Sequence, residues 1–328
     1  MKAVVLERTC KAEEMIIKDV PIPKVKPGWV LVKVKAFGIN RSEVILRSYE
    51  ADELYIKLPR IPGIECVGEI ADPSDSDFKT GQRVVALMGG MGRSFDGSYA
   101  EYALLPVSHV FEANTELDWT EMAAIPETFF TAYGSLFECL QIQPNDIILI
   151  HAATSALGFA AIQLAKSIGC TVIGTTRKEE RIEFLKEIGA DFAMLDDGTL
   201  SKQVMKLFPS GIKKVLELVG EAAIEETSKL LRKHGIICST GQLGGSTSKG
   251  FDVIKSIPNG VYLSSFYSNY PTQEIIDEIF NHINKYNLKP YISKVFEFDE
   301  IAKAHILMEE NKANGKIVVL VSQGENKI

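Results

Sequence analysis

The sequence predicts an α/β protein in two parts, a β-rich first domain and a doubly wound parallel-sheet domain, and three observations carry that prediction. Residues 1–110 break into short β-branched runs separated by turn residues such as Pro27-Gly28, Pro62-Gly63 and Gly89-Gly90. From residue 146 onward, strand-like and helix-like patterns alternate. Within that alternation, residues 146–178 read as strand, tight turn, helix and strand, a unit that aims free N–H groups and a helix dipole at an anion.

Taken in order, the first part contains candidate strands at 3–6, 29–36, 66–71, 83–87 and 98–105. One helix interrupts them at 41–47, behind Asn40, a good N-cap residue. Residues 121–140 carry apolar side chains at helical spacing with a break at Pro126. Strands then fall at 146–151, 171–176, 192–195, 214–219, 236–240 and 261–264, with helices at 158–168, 179–188, 200–208 and 222–233 between them. Six strands joined by helical crossovers make a parallel sheet in two halves. The last stretch, helix 272–284, strand 292–298, helix 299–310 and strand 316–321, does not extend such a set, so the tail is expected to return to the first part. The expected domains are 1–118, 119–265 and the return segment 266–328.

Composition narrows the function. A chain of 328 residues with 46% apolar and 24% charged residues has core enough for two domains. Its net charge of −7 and lack of a long basic block disfavour nucleic acid and anionic membrane surfaces as partners. Five scattered cysteines with no C-x-x-C pair suit a reducing, cytoplasmic setting. Neither a signal peptide nor a membrane-spanning run is expected.

The turn at Ala153-Thr154-Ser155-Ala156-Leu157-Gly158 is a degenerate G-x-G-x-x-G that keeps only the last glycine, the one that lets helix pack closely on strand. Ser155 matters most among the changes. Its Cβ limits backbone approach to a phosphate, while its hydroxyl, like that of Thr154, offers a donor instead. Alone, the turn reads equally well as a dinucleotide seat or as a crossover without a ligand.

Further stretches carry a family resemblance over nearly the whole chain. They run in order through Gly38-Ile39-Asn40-Arg41-Ser42-Glu43, Pro62-Gly63-Ile64-Glu65-Cys66-Val67-Gly68, Gly81-Gln82-Arg83-Val84, Gly97-Ser98-Tyr99-Ala100-Glu101-Tyr102 and Thr131-Ala132-Tyr133. His151-Ala152-Ala153, Ala161-Ile162-Gln163-Leu164-Ala165-Lys166, Gly189-Ala190-Asp191 and Asn314-Gly315-Lys316-Ile317-Val318 follow. In these the sequence resembles the medium-chain dehydrogenase/reductase superfamily, in its zinc-independent quinone oxidoreductase branch. The resemblance implies a GroES-like catalytic domain interrupted by a Rossmann domain, a cleft between them, and a homodimer whose candidate edge is 257–266. Zinc-dependent members resembling this chain carry a cysteine at the position of Asn40 and a histidine at that of Ile64. Neither Asn40 nor Ile64 replaces them as ligands, so no metal is expected.

The resemblance also places the site residues. Asn40 and Glu43 match residues near the nicotinamide and acceptor, with Glu in place of the usual Asp, and Tyr49 or Tyr55 stands for a tyrosine of the substrate loop 48–58. Thr131 and Tyr133, at the start of the linking helix, match contacts to the nicotinamide end. Gly241 and Phe266 would lie at strand ends beside the ring, and Asn314 and Lys316 match a returning segment that caps the cofactor. Glu65 matches a family glutamate, for which a structural role in the hinge or barrel is favoured over catalysis, and the five histidines form no ligand spacing. Where an acidic residue would select NADH, this chain has Thr175, Thr176, Arg177 and Lys178, with Arg181 one turn on; a 2′-phosphate would suit those cations, which favours NADPH over the plain alternative of a solvated helix start. The leading expectation is an NADPH-dependent, zinc-free enzyme passing hydride to quinones or related conjugated carbonyls. Reduction of the double bond in enals, enones or enoyl thioesters comes second, then a zinc alcohol dehydrogenase, and an NADPH-binding protein with little turnover is the reading from another class.

Overall fold

The computed structural model describes residues 1–245 and 251–321. The acceptor pocket is expected to be built by the loops 48–58, 89–96 and 243–252, and part of the last lies outside the described residues. The chain forms two compact units, Met1–Phe130 with Asn269–Ile328, and Thr131–Ser268. In chain order the strands are β1 (Lys2–Val4), β2 (Ile17–Asp19), β3 (Trp29–Ile39), β4 (Glu65–Asp72), β5 (Arg83–Leu87), β6 (Tyr102–Pro106) and β7 (Val110–Glu112). The second unit carries β8 (Ile147–His151), β9 (Thr171–Thr176), β10 (Phe192–Leu195), β11 (Ile212–Glu217), β12 (Leu231–Ser239) and β13 (Tyr262–Ser265). The tail adds β14 (Ile292–Glu297) and β15 (Lys316–Leu320).

The first unit is a GroES-like sheet domain built on β3. Its alternating WVLVKVK run buries Val30, Val32 and Val34 completely, each worth roughly 1.5–3 kcal/mol of burial. β3 is long enough for three neighbours: β6 pairs its first half, β4 its middle and β15 its last four residues. The resulting seven-stranded sheet runs β14-β15-β3-β4-β5-β7, with β6 on β3. Because β15 pairs antiparallel to β3, Ile317 opposite Ile39, the tail closes the sheet that the first residues began. β2 and β7 escaped the sequence reading because three residues are too few to show a period.

The second unit is a Rossmann-like sheet of six parallel strands ordered β10-β9-β8-β11-β12-β13, so the order reverses between β8 and β11. Ile148, Leu149 and Ile150 of β8 are all fully buried, as expected where helices cover both faces of a parallel sheet. The helix expected at 222–233 ends at Ser228, because Leu231 already pairs with Ile212 as the first residue of β12. Likewise 179–188 divides into a 3-10 turn, Glu179–Arg181, and a helix, Ile182–Glu187. The boundary between the units falls inside the helix Pro126–Tyr133, which runs on into a π-helical turn, Gly134–Cys139. Among the described residues, no helix is long and apolar enough to cross a membrane.

Candidate active site and dinucleotide turn

In the first unit, β3, β4 and β15 converge at one end of the sheet, and there the structure gathers Asn40, Glu43, Glu65 and Lys316. Lys316 Nζ lies 2.5 Å from Glu65 Oε1 and 2.7 Å from Asn40 Oδ1, while Asn40 Nδ2 donates to Glu65 Oε1 at 2.8 Å. Glu65 Oε2 accepts the N–H of Glu127 at 2.7 Å, in the first turn of a helix where a negative charge is favoured. A Cβ on Gly38 would collide with the Glu65 carboxylate and the Lys316 side chain, so the glycine opens the space this pair fills. The pair also fixes which way the Asn40 amide points, since its oxygen must face the ammonium and its nitrogen the carboxylate. One amide hydrogen of Asn40 is left to offer.

Asn40 is the N-cap of the helix Arg41–Ser48 by position, yet its side chain serves the ion pair. Glu43 reaches back in its place: Oε2 accepts the Asn40 N–H at 3.0 Å and Oε1 the Ile64 N–H at 3.2 Å. Complete burial, with the nearby charge of Glu65, pushes the Glu43 carboxyl up to about 7. Glu43 is thus a buried cap, turned inward to Ile64. Tyr49 and Tyr55 lie outside this cluster, 60% and 65% exposed. Tyr55 donates its hydroxyl to Glu50 at 2.8 Å, and Glu50 also holds Arg93.

In the second unit, Ser155 caps the helix Ala156–Ser167, its Oγ accepting the Gly158 N–H at 3.0 Å. The N–H groups of Ala156 and Leu157, in the first helical turn, have no acceptor within the helix. Gly158 does what the fingerprint's last glycine does, because a Cβ there would strike the Ala153 backbone. Ala153 is buried, its N–H on the Thr175 carbonyl at 2.9 Å, and Thr154 is half-buried. Thr175 is also buried and its hydroxyl accepts the Ala152 N–H at 3.0 Å, while the Thr176 hydroxyl accepts from Lys178 N–H. The Thr175 hydroxyl thus holds the turn after β8 to β9, and that of Thr176 braces the segment leaving β9. Arg177 and Lys178 are exposed just beyond the strand, and Arg181 is half-buried in the following turn.

Thr131 and Tyr133 stand at the carboxyl end of the linking helix, a correction to their expected place at its start, because Pro126 opens that helix. The Thr131 carbonyl accepts from Ser135, and the Tyr133 ring lies 4.5 Å from that of Phe137. Gly241 follows β12 against Leu218, where a Cβ would meet backbone, and the Phe266 ring packs over Gly134 after β13. Lys316, matched to a cofactor-capping segment, is spent on Glu65 and Asn40. Asn314 turns its amide to the Lys312 carbonyl. Two groups went unread in the sequence. The Glu65–Lys316 pair joins residues 251 positions apart, and His151 and Glu217, the last residues of β8 and β11, meet as a buried pair. His305 is likewise buried, between Arg47 and Tyr99.

A zinc ion does not fit here. The Asn40 amide oxygen is held by Lys316, Ile64 is a buried aliphatic, and among the described residues no three His, Cys, Asp or Glu side chains are grouped so as to hold a metal ion.

Residues 26–115 match the family model described as alcohol dehydrogenase GroES-like domain, and residues 156–283 the one described as zinc-binding dehydrogenase. Over 311 residues, 92% of each chain, the sequence is 28% identical to human quinone oxidoreductase. Among solved structures, an NAD-dependent alcohol dehydrogenase superposes with a TM-score of 0.88 at 27% identity, covering 98% of this chain and 100% of the other. The quinone oxidoreductase of Coxiella burnetii shares the fold, with a TM-score of 0.84 at 24% identity over 98% and 99% of the two chains. With the GroES-like sheet, the six-stranded parallel sheet and the ordered motifs in one chain, this protein belongs to the medium-chain dehydrogenase/reductase superfamily of oxidoreductases, in its quinone oxidoreductase-like branch.

Proposed function

We propose that the chain is an NADPH-dependent, zinc-independent oxidoreductase that reduces quinones or related conjugated carbonyls. One observation carries the reading. The strand order reverses beside β8, and the turn leaving β8 opens a helix with free first-turn N–H groups, next to the exposed Arg177 and Lys178 at the end of β9. Ala156 and Leu157 would donate to a diphosphate, and Arg177, Lys178 and Arg181 would meet a 2′-phosphate. The relative named quinone oxidoreductase supports the acceptor class. A nicotinamide, when bound, supplies the hydride.

The chain's own residues have the work of holding the acceptor, polarising its oxygen and admitting a proton. Asn40 suits the polarising role, since Glu65 and Lys316 preorganise its remaining amide hydrogen. Hydride plus one proton turns a quinone into a hydroquinone. That proton comes from solvent or from Tyr49, because the Tyr55 hydroxyl is committed to Glu50. A zinc ion has no part in this reading, since the positions of Asn40 and Ile64 supply no ligand. A homodimer is proposed through β13, the edge strand of the parallel sheet, on which Tyr262 and Leu263 are 54% and 39% exposed.

Steady-state oxidation of each nicotinamide cofactor with quinone, enal and enoyl-thioester panels tests the proposal. NADPH should exceed NADH in kcat/KM, quinones should lead, and Arg177→Ala or Lys178→Ala should weaken NADPH by about five-fold with little effect on NADH. Equal use of NADH, or about one zinc per chain by metal analysis, would refute it.

A further inference from the structure

At the carboxyl ends of the parallel strands lies a buried charged row that hydride transfer does not use. His151 ends β8, Glu217 ends β11 as its cross-strand partner, and Asp196 follows β10. His151 is 4% exposed and Glu217 wholly buried. The two Glu217 oxygens lie 3.0 and 2.9 Å from His151 Nδ1, and Asp196 Oδ2 lies 3.1 Å from Nε2. A carboxylate facing each ring nitrogen favours a proton on each, so the geometry favours the imidazolium. Burial opposes that charge, but the bonds to Glu217 and Asp196 outweigh it and raise the histidine's pKa above 6.5.

The two acids are held differently. Glu217 also accepts from the Val219 N–H and the Thr227 hydroxyl, each at 2.8 Å. The Asp196 side chain is 24% exposed, and among the described residues its carboxylate bonds only to His151. Its own N–H donates to the Thr176 carbonyl at 2.8 Å, which ties it beside the strand end that leads into Arg177 and Lys178. Asp197, next along, turns its carboxylate to Thr199 at 2.6 Å, and Thr175 brings no charge. One acid is therefore tethered near the two exposed cations, with an imidazolium drawing it inward.

We infer that His151 is a positioning residue for cofactor selectivity: by holding the Asp196 carboxylate against the end of β8, it keeps that negative charge away from a 2′-phosphate at Arg177 and Lys178. The inference rests on the dinucleotide reading above and names the device that protects its preference.

Fluorescence titration of NADPH and NADH against wild type, His151→Gln, Asp196→Asn and the double variant tests it. His151→Gln should weaken NADPH about three- to ten-fold and NADH less than about two-fold, and adding Asp196→Asn should restore NADPH. A purely structural histidine would weaken both cofactors alike, with no rescue. The cofactor-free protein gives a separate readout, because the His151 ring carbon signal should stay that of an imidazolium above pH 6.5 and titrate lower in Asp196→Asn. A ring neutral at pH 6 overturns the inference, as does equal loss of both cofactors. Should His151→Gln fail to fold, wild type still decides: NADPH affinity relative to NADH must fall as pH rises through the measured titration of His151, and a flat ratio refutes the idea. Wild type that binds neither cofactor sinks the dinucleotide reading itself, and the inference with it, whatever the ring signal shows.

Discussion

Lys316 and Glu65 form an ion pair shielded from water, with side-chain exposures of 3% and 0%. Removing one partner of such a pair leaves an uncompensated charge, so Lys316→Met should lower stability by about 3–5 kcal/mol in chemical denaturation. Lys316→Met with Glu65→Gln should recover most of that, because the glutamine carbonyl still accepts the Glu127 N–H. A double variant as unstable as the single would show that the charge is not the cause. Glu43 gives a pH signature. Its carboxyl is at about 7 in the fold against an ordinary 4.5, so the folded state holds the proton more firmly. Its contribution is fullest below pH 4.5 and is lost as pH rises through 7, on the order of 3 kcal/mol. Denaturation midpoints followed across that window should fall more steeply in wild type than in Glu43→Gln; parallel slopes would refute it. Asn40 and Glu43 were legible in the sequence because a helix start and the six-residue stretch Gly38–Glu43 announce them. Their partner Lys316 lies 276 positions from Asn40, and no local pattern reports a meeting over that distance.

Among the elements, legibility followed length and burial. β5, β9 and β10 were read to the residue because apolar runs flanked by turn residues leave little choice of boundary. The helix before β12 was read too long, since Leu230 and Leu231 continue its apolar spacing although Leu231 belongs to the sheet. β13 carries the prediction that belongs to this scale. It is an edge strand with one row of backbone groups unpaired by the sheet, and exposed Tyr262 and Leu263 invite a second copy. Leu263→Lys sets like charges near each other across a two-fold, so light scattering should show dimers in wild type and monomers in the variant. Wild type that is monomeric at all concentrations would end the dimer proposal.

For the molecule as a whole, the alternation of strands and helices from residue 146 made the parallel sheet legible, and the ordered motifs made the family legible. What stayed hidden was how distant polar groups are satisfied once buried, as with Arg47, which holds His305 on a helix 258 positions away. The closing of the first sheet by β15 bears on the order in which the protein can be made. Glu65 emerges from the ribosome 251 residues before Lys316, the cation it is buried with. A nascent chain halted short of residue 316 should therefore leave its N-terminal part open to protease, while residues 131–268 have already gained protection. Synthesis thus finishes last the unit that it starts first.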